Sequence, residues 1–313
     1  MGAPVNRRVA AVLLACSGCV PCLSSAAEGS SALAALITDT RLAEISGMAA
    51  SSTHADVLWA HNDSGDDSHL FAIDRDGEVR GALAIDGVEN VDWEDMAAFE
   101  HDGAGFLVVA DTGDNGGIRD VLELHVIAEP QQLAADGRAS PAWTVRFRWP
   151  DGARDCEAIA VDAVGGYIYL VAKKRVPPEA WRVPLRPDGG EPVTAERVGL
   201  LSGVVQPSAA DLERNPVYGR YRSQITAIDI SADGRRFAAL NYRTAYVFVR
   251  AAGEDWGAAL ARDPLELLLP WLPQAEALAF DRDGRSVWIS SEKLPAPLLQ
   301  VQVPLPPAAA GAR

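Results

Sequence analysis

The chain has 313 residues, of which 48% are hydrophobic and 23% are charged, so it is long and apolar enough to bury a sizeable core. Its formal net charge is −15, and an acidic field of this size repels phosphate backbones and anionic membranes. The composition therefore argues against nucleic acid as a partner and favours the binding of cations.

Residues 1–27 have the pattern of an export signal. Arg7-Arg8 forms a basic segment, an interrupted apolar stretch covers 9–23, and residues 25–27 (Ser-Ala-Ala) resemble a cleavage site. We therefore expect a periplasmic or extracellular protein, and no later stretch is apolar and long enough to span a bilayer. A lipid anchor on Cys16 stays open as an alternative, because the residues before it resemble a lipoprotein cleavage site.

A phrase of two short apolar runs separated by a turn recurs five times in the rest of the chain. The centre of the first run falls at Met48, Met96, Ile159, Ile228 and Leu278, which gives spacings of 48, 63, 69 and 50 residues. Units of about 40–50 residues built from short strands, without a helical period, are typical of β-propeller blades. The longer spacings indicate insertions.

The two ends of the chain predict how the ring closes. An apolar strand near 32–38 precedes the first repeat, and only one strand, at 298–303, follows the fifth. Pairing these two would complete the last blade and remove exposed sheet edges. We predict an all-β propeller of five four-stranded blades as a single domain over 28–305, with a disordered tail at 306–313. A sixth blade within 176–222 is the alternative.

Polar residues recur at two equivalent positions of the five repeats. In a propeller, the start of the innermost strand and the end of its antiparallel neighbour lie at the same mouth of the central channel. The first position holds Ser46, Glu94, Glu157, Thr226 and Glu276, and the second holds Asp63, Asp111, Lys173, Asn241 and Glu292. Six of these ten residues are carboxylates, which raise one another's pKa unless a cation lies between them.

This convergence of acids predicts a divalent-cation site at the channel mouth. The preferred ligands are Glu94, Glu157 and Glu276, with Asp63 and Asp111 in support. Further oxygen donors nearby are Asn62, Asp66, Asp114 and Asn115. Oxygen ligands without cysteine favour Ca²⁺ over zinc. The alternative is that the acids line a water-filled channel or cap turns.

Basic residues cluster in two segments that should lie on the same face. They are Lys173, Lys174 and Arg175 after the second strand of the third blade, and Arg214, Arg220 and Arg222 in the insertion at 203–222. A cation beside lysine and arginine is suited to phosphate, because both share its negative charge. A solvated basic loop that balances nearby acids is the alternative.

Other chemistry-bearing patterns are weak. The sequence contains no G-x-S-x-G, P-loop, G-x-G-x-x-G or H-E-x-x-H motif. His61 and Cys156 are better read as packed side chains than as a proton carrier and a nucleophile. Three segments containing Asp-Gly, at 74–77, 231–234 and 281–284, are better read as hairpin turns than as calcium loops.

Several phrases resemble a known family over roughly residues 40–300. EISGMAA, LWAHNDSGD, DWEDMA, ADTGDN and CEAIAVD are similar in layout to the exported bacterial propellers of the SdiA-regulated family. The resemblance implies a propeller fold, export and calcium on the carboxylate face, with no settled reaction. A weaker similarity is to calcium-dependent nucleotidase and phytase-like propellers, which place Glu at inner-strand entries and hydrolyse phosphate bonds, although their catalytic motifs are not matched residue by residue.

Three functions are compatible with the sequence. The first is a metal-dependent hydrolase of a small anionic phosphoester, in which Ca²⁺ on Glu94, Glu157 and Glu276 orients substrate and water, while Lys173 and Arg220 hold negative charge. The second is a non-catalytic exported binding propeller. The third is a glycosidase that uses paired carboxylates. If the protein is an enzyme, we expect a hydrolase, and we expect a monomer.

Overall fold

The computed structural model describes residues 30–216 and 219–304, without the side chains of Arg220 and Tyr221. The predicted export signal, including Cys16, and the predicted tail at 306–313 lie outside these residues. The described chain contains two short helices, α1 (Ala209–Arg214) and α2 (Trp256–Leu260), and a 3-10 helix at Gly219–Ser223. All other regular structure is β-strand.

Five antiparallel sheets make up the fold, and their strands are numbered in chain order. The N-terminal strand is β1 (Ser31–Ile37). The first blade contains β2 (Ile45–Ala50), β3 (Val57–Asn62), β4 (His69–Asp74) and β5 (Val79–Ile85). The second blade contains β6 (Trp93–His101), β7 (Ala104–Asp111), β8 (Leu122–Ala128) and, after the short β9 (Gly137–Ala139), β10 (Trp143–Arg148).

The remaining three blades follow the same order. The third contains β11 (Cys156–Asp162), β12 (Tyr167–Ala172), β13 (Glu179–Pro184) and, after the short β14 (Val193–Thr194), β15 (Glu196–Leu200). The fourth contains β16 (Ile225–Ile230), β17 (Arg236–Asn241), β18 (Thr244–Val249) and β19 (Leu265–Leu268). The fifth contains β20 (Ala275–Phe280), β21 (Ser286–Ser291) and β22 (Ala296–Gln302), with β1 as its outer strand.

The ring closes through the N-terminal strand, as the sequence predicts. Strand β1 pairs antiparallel with β22, so that Ser31 lies opposite Val301 and Ile37 opposite Ala296. The inner strands β2, β6, β11, β16 and β20 contact one another in this order, and β20 contacts β2. The five-bladed propeller is therefore confirmed. Residues 176–222 supply the outer strands of the third blade and the α1 insertion instead of a sixth blade.

The hydrophobic core lies between neighbouring blades. Five clusters of buried apolar side chains fill the five interfaces between blades. Because both faces of every blade are covered, β11 and β20 are buried along their whole length, which explains their near-continuous apolar runs. Burying a large apolar side chain contributes about 1.5–3 kcal/mol to stability. Trp59, Trp93 and Trp288 are among the fully buried ones.

The two short strands β9 and β14 strengthen two of these interfaces. Each lies in the connection between the third and fourth strands of one blade and pairs parallel with the outer strand of the preceding blade, β9 with β5 and β14 with β10.

The three Asp-Gly segments form hairpin turns, as predicted, in which the glycine amide donates to the carbonyl of Asp74, Ser231 or Asp281.

No helix within the described ranges has the length and apolar content needed to cross a bilayer.

All five inner strands contain a β-bulge at the same place. The register against the second strand shifts by one residue between Ile45 and Gly47 in the first blade, and at the equivalent point of the other four. The bulges contain Ser46, Glu94, Glu157, Thr226 and Glu276, the residues that the sequence places at the inner-strand entries. A bulge interrupts the alternation of side chains between the two faces of a sheet and changes the direction of one of them. The same bulge in all five blades therefore places these residues at the mouth of the channel.

Candidate functional site

Five carboxylates meet at the mouth where the inner strands begin, and we call them the acid cluster. One oxygen from each of Asp63, Asp92 and Glu94 lies within 4.8 Å of the others, and the same holds for Glu94, Asp155 and Glu157. Glu94 and Glu157 come from bulges. Asp63 follows β3, while Asp92 and Asp155 immediately precede β6 and β11. Glu94 belongs to both sets and is therefore the centre of the cluster.

The set of Asp63, Asp92 and Glu94 has no ion pair with a described side chain, although Lys173 and Arg119 lie near enough to lower the pKa of these acids slightly. No lysine or arginine of the described chain forms an ion pair with any of the three. Their hydrogen bonds are modest: Asp63 accepts from the backbone amide of Ser64 at 2.6 Å. Burial raises the pKa of Asp63 and Asp92, and burial together with the charge of Glu157 raises the pKa of Glu94 well above its usual range. This set is the part of the cluster most in need of a cation.

The set on the other side of Glu94 is partly neutralised by lysines. The ammonium of Lys173 lies 2.5 Å from Oε2 of Glu157, and that of Lys174 lies 3.1 Å from Oδ2 of Asp155. Burial alone would lower the pKa of Lys173, but the charge of Glu157 raises it above its usual range. Burial raises the pKa of Glu157 to about 7, against the opposing effect of Lys173.

The second carboxylate oxygen of Glu157 is left without a basic or amide partner. Glu157 is 3% exposed, and no donor of the described chain lies within hydrogen-bonding geometry of Oε1. The neighbouring acid is Glu94, so without a cation the available relief is a proton shared between the two carboxyl groups. A buried oxygen in this state is the kind of group that a bound cation satisfies.

Gly113 allows the acid cluster to be compact. Its amide and that of Thr112 donate to the carbonyl of Asp92, at 3.0 and 3.2 Å. A Cβ placed on Gly113 would overlap the carboxylates of Asp92 and Glu94. Glycine therefore lets the backbone pass directly against these carboxylate oxygens, which a larger residue would displace.

Two predicted ligands lie at this mouth but outside the acid cluster. Asp111 forms an ion pair with Arg119 at 2.7 Å. Glu276 accepts a hydrogen bond from the hydroxyl of Tyr242 at 3.1 Å, and burial, with a hydrogen bond to Glu292, raises its pKa to about 9. The structure thus brings together Glu94, Glu157 and Asp63, and gives Asp111 and Glu276 protein partners of their own.

The additional oxygen donors predicted from the sequence take part in loop hydrogen bonds. The side-chain amide of Asn62 donates to the carbonyl of Arg41 and to Asp66. Asp114 accepts from two backbone amides of its own loop, and Asn115 accepts from the Lys174 ammonium at 3.0 Å. These groups shape the loops around the acid cluster and are not members of it.

The uncharged residues of the two rings connect neighbouring blades or cap loops. The Ser46 hydroxyl donates to the carbonyl of Glu94 at 2.5 Å, and that of Thr226 donates to the carbonyl of Ala275 at 2.8 Å. Asn241 accepts from two amides of the following turn. These contacts fix the first blade to the second and the fourth to the fifth.

A cavity of about 880 Å³ opens beside the acid cluster, and we call it the basic cavity. Its cationic wall residues are Lys173, Lys174, Arg214, Arg222 and Arg243. The two lysines reach from this cavity to Glu157 and Asp155, so the cavity and the acid cluster share a wall. The side chain of Arg220, a predicted substrate contact, lies outside the described residues, and Arg175 turns instead toward Asp151 at 3.6 Å.

His61 and Cys156 are packed in the interior. His61 is fully buried, its Nδ1 lies 2.8 Å from the carbonyl of Asn62, its ring meets Trp93 edge-on, and burial lowers its pKa. Burial raises the pKa of the Cys156 thiol. A neutral imidazole and a protonated thiol in these positions suit packing better than acid–base or nucleophilic chemistry.

Sequence reasoning missed Asp92 and Asp155, although a signal for them exists. Each lies two residues before a bulge glutamate, in the phrases Asp92-Trp93-Glu94 and Asp155-Cys156-Glu157. The other three repeats also place a polar residue two positions before the bulge, namely Glu44, Gln224 and Gln274. When the repeats are aligned to include this second polar position, only the second and third blades have an acid at both positions.

Comparison with known proteins supports no family assignment. No family model matches the chain, and no curated protein sequence matches it significantly. Among solved structures, the PQQ-bound aldose sugar dehydrogenase from Streptomyces coelicolor is similar over 88% of this chain and 98% of that one, with 11% identity and a TM-score of 0.46. The WD40 repeats of RRP9 are similar over 82% of this chain and 67% of that one, with 11% identity and a TM-score of 0.41.

Proposed function

We propose that this protein binds a divalent cation at the acid cluster and uses it to hydrolyse a small phosphoester outside the cytoplasm. The observation that carries the proposal is the convergence of Asp63, Asp92 and Glu94 with no ion pair to any described side chain. Like charges held together in a buried site are costly, and a hard cation with oxygen ligands removes that cost. The pattern of an export signal at residues 1–27 supports the location, and calcium is the hard cation that we expect there.

The residues around the acid cluster have complementary roles in this proposal. A bound divalent cation supplies polarisation of a phosphoryl oxygen and a lowered pKa for water. Asp63, Asp92 and Glu94 hold the cation. Glu157, with a pKa raised to about 7, is poised to accept a proton from an attacking water near neutral pH. Lys173, which its pair with Glu157 holds at the shared wall, donates a hydrogen bond to a substrate oxygen, and Arg220 is a further candidate for holding the negative charge of the substrate.

The basic cavity favours a phosphoester over a sugar. A glycosidase needs two carboxyl groups either about 5 to 5.5 Å or about 6.5 to 9.5 Å apart across a sugar-sized cleft. Glu94 and Glu157 have oxygens within 4.8 Å of each other, but Lys173 is paired with Glu157, and the adjoining cavity is lined by cationic side chains. Lysine and arginine beside a cation site instead match the charge of a phosphoryl group.

Thermal unfolding and calorimetry test the cation site. Ligand at about 100 times its Kd contributes roughly 2.7 kcal/mol to stability, so Ca²⁺ should raise the melting temperature and a chelator should lower it. Asp92→Asn combined with Glu94→Gln should abolish the rise. Glu276→Gln is the matched control, because it removes a carboxylate at the same mouth from outside the acid cluster, and it should leave the rise intact.

Activity is tested with a panel of phosphoesters, with and without calcium. Hydrolysis that requires the cation and is lost on Glu157→Gln supports the enzyme. Cation binding without turnover of any phosphoester would instead support a non-catalytic binding propeller. The whole proposal fails if a chelator leaves the melting temperature unchanged and calorimetry detects no binding of Ca²⁺ or Mg²⁺.

A further inference from the structure

The charges of the basic cavity can be counted individually. Among the side chains that the structure describes, which leave out that of Arg220, five cationic ones line it and Asp211 is the one acid in its wall. At the shared wall, Lys173 is neutralised by Glu157 at 2.5 Å and Lys174 by Asp155 at 3.1 Å. Both carboxylates are buried. The Lys173–Glu157 pair is therefore largely protected from solvent screening, whereas the Lys174 side chain is half exposed. The two lysines therefore contribute little net charge to the cavity.

A third cation is neutralised by the wall itself. The guanidinium of Arg222 lies 2.6 Å from Asp211. The hydroxyl and amide of Ser208, together with Arg222, lower the pKa of Asp211, so this acid stays ionised well below neutral pH. Arg222 is consequently paired with Asp211, and the two side chains together carry no net charge.

Two arginines of the wall are left with their charge uncompensated. Arg214 lies at the end of α1, and Arg243 lies in the turn between β17 and β18. Both side chains are exposed, and neither forms an ion pair with any residue in the described parts of the chain. Arginine forms paired, charge-assisted hydrogen bonds to phosphoryl oxygens. The described side chains of the cavity thus offer two uncompensated positive charges to a ligand.

The cavity is also larger than a phosphoryl group requires. Its volume of about 880 Å³ is within the range of sites for small organic ligands. Tyr242 and Pro273 contribute apolar surface, and Gln224 and Gln274 contribute amide groups. This wall suits a ligand with an organic group attached to its charged end.

From this charge count we infer that the basic cavity selects a doubly charged oxyanion, a phosphate monoester, over a singly charged diester or sulfate ester. The inference rests on the proposed function for its place beside the reacting centre, and it specifies the substrate class. A monoester dianion pairs with both Arg214 and Arg243. A monoanion leaves one of the two arginines without a counter-charge and gains about half of the attraction.

The test uses the full chain in the presence of a chelator, so that binding in the cavity is measured apart from the cation. Calorimetry at pH 8 and low salt compares phenyl phosphate with phenyl sulfate, which has nearly the same shape and one charge fewer, and with methyl phenyl phosphate. Phenyl phosphate should bind about tenfold more tightly than either monoanion. Arg214→Gln and Arg243→Gln should each weaken phenyl phosphate binding by about fivefold to tenfold and change phenyl sulfate binding much less.

Arg282→Gln is the matched control, because it removes an exposed arginine at the opposite mouth, and it should change no affinity. Equal affinities for the phosphate monoester and the two monoanions would overturn the inference. So would unchanged phenyl phosphate binding in both cavity variants, or the absence of binding by any probe. Failure of the proposed function is distinguished by a different result. If the chain binds phenyl phosphate selectively but binds no Ca²⁺ or Mg²⁺, the selectivity of the basic cavity is supported and the metal-dependent hydrolase is contradicted.

Discussion

Both mouths of the central channel contain buried acids, and the two sets differ in their partners. At the mouth formed by the ends of the inner strands, Asp162 pairs with Arg250 at 2.9 Å and accepts from the Trp256 indole at 3.1 Å. Asp281 pairs with Arg75 at 3.0 Å. Asp229 accepts two backbone amides, from Ile230 at 2.8 Å and Phe280 at 2.7 Å. Asp162 and Asp281 are thus paired with arginines, whereas the half-buried Asp229 has only amide donors and burial raises its pKa to about 7.

The opposite arrangement holds at the mouth where the inner strands begin. Asp63, Asp92 and Glu94 lie together with no ion-pair partner among the described side chains, and one oxygen of Glu157 lacks a donor. An acid with a built-in partner stabilises the fold, whereas a set without one is costly until a ligand arrives. The difference in partners therefore separates structural acids from candidate ligands, which the number of acids at each mouth cannot do.

The largest expected effect concerns pH. It tests how far the buried acids at the mouth where the inner strands begin lower the stability of the folded protein when they ionise. Burial raises the pKa of Glu276 to about 9, compared with 4.5 in the unfolded chain. The folded state then binds more protons than the unfolded state between these values, so stability should fall as pH rises from about 4.5 to 9, by up to about 1.4 kcal/mol per pH unit. Glu276→Gln should flatten this slope in urea titrations at pH 5 to 8. An unchanged slope contradicts the assignment.

The next prediction breaks an acid–base pair at the other mouth. Arg250→Met leaves Asp162 buried without its cation, and removing one partner of a buried pair costs about 3 kcal/mol. The free energy of unfolding in urea should fall by that amount. Arg235→Met, at an exposed arginine of the adjacent turn, should cost less than about 0.5 kcal/mol. Calcium should not restore the loss, and restoration would mean that the acids of this mouth also bind a cation.

The fold was predictable from the sequence because its signals repeat. Five apolar two-strand phrases, one missing strand in the last blade and one spare strand at the N-terminus are sufficient to predict five blades and their closure. The five bulge residues were also correctly placed, since every inner strand starts with the same polar position. Strands β9 and β14 were not predicted, because two or three residues paired across blades leave no period in the sequence.

The composition of the acid cluster was only partly predictable. Repeat position correctly brought Glu94 and Glu157 to one place. It could not show that Asp111 meets Arg119 or that Glu276 meets Tyr242, because these partners come from loops whose paths the repeat does not determine. Two acids at equivalent positions can thus differ in function through a single neighbouring side chain.

A smaller effect should follow from adding one methyl group beside the acid cluster. Gly113→Ala places a Cβ against the carboxylates of Asp92 and Glu94 and should weaken Ca²⁺ binding about tenfold. Gly116→Ala is the matched control in the same loop, because the nearest atoms to its Cβ are 3.7 Å away, in the side chain of Ile118. Calorimetric titration of both variants gives the comparison. Equal calcium affinities would show that these oxygens do not hold the cation.

The smallest expected effect is also the most direct comparison of the two mouths, since it makes the same substitution at each. Asp92→Asn should stabilise the calcium-free protein by about 0.5 to 1 kcal/mol, because a half-buried charge with no ion pair among the described side chains and with acids beside it is replaced by a neutral amide. Asp162→Asn should destabilise it, because Arg250 and the Trp256 indole lose a charged acceptor. Urea unfolding in the presence of a chelator measures the sign of the change in the free energy of unfolding for each variant. With calcium present, Asp92→Asn should become the less stable form relative to wild type, whereas Asp162→Asn should keep its deficit unchanged. If both substitutions destabilise the calcium-free protein, the acids of the two mouths are equivalent structural groups and the cation site has no support.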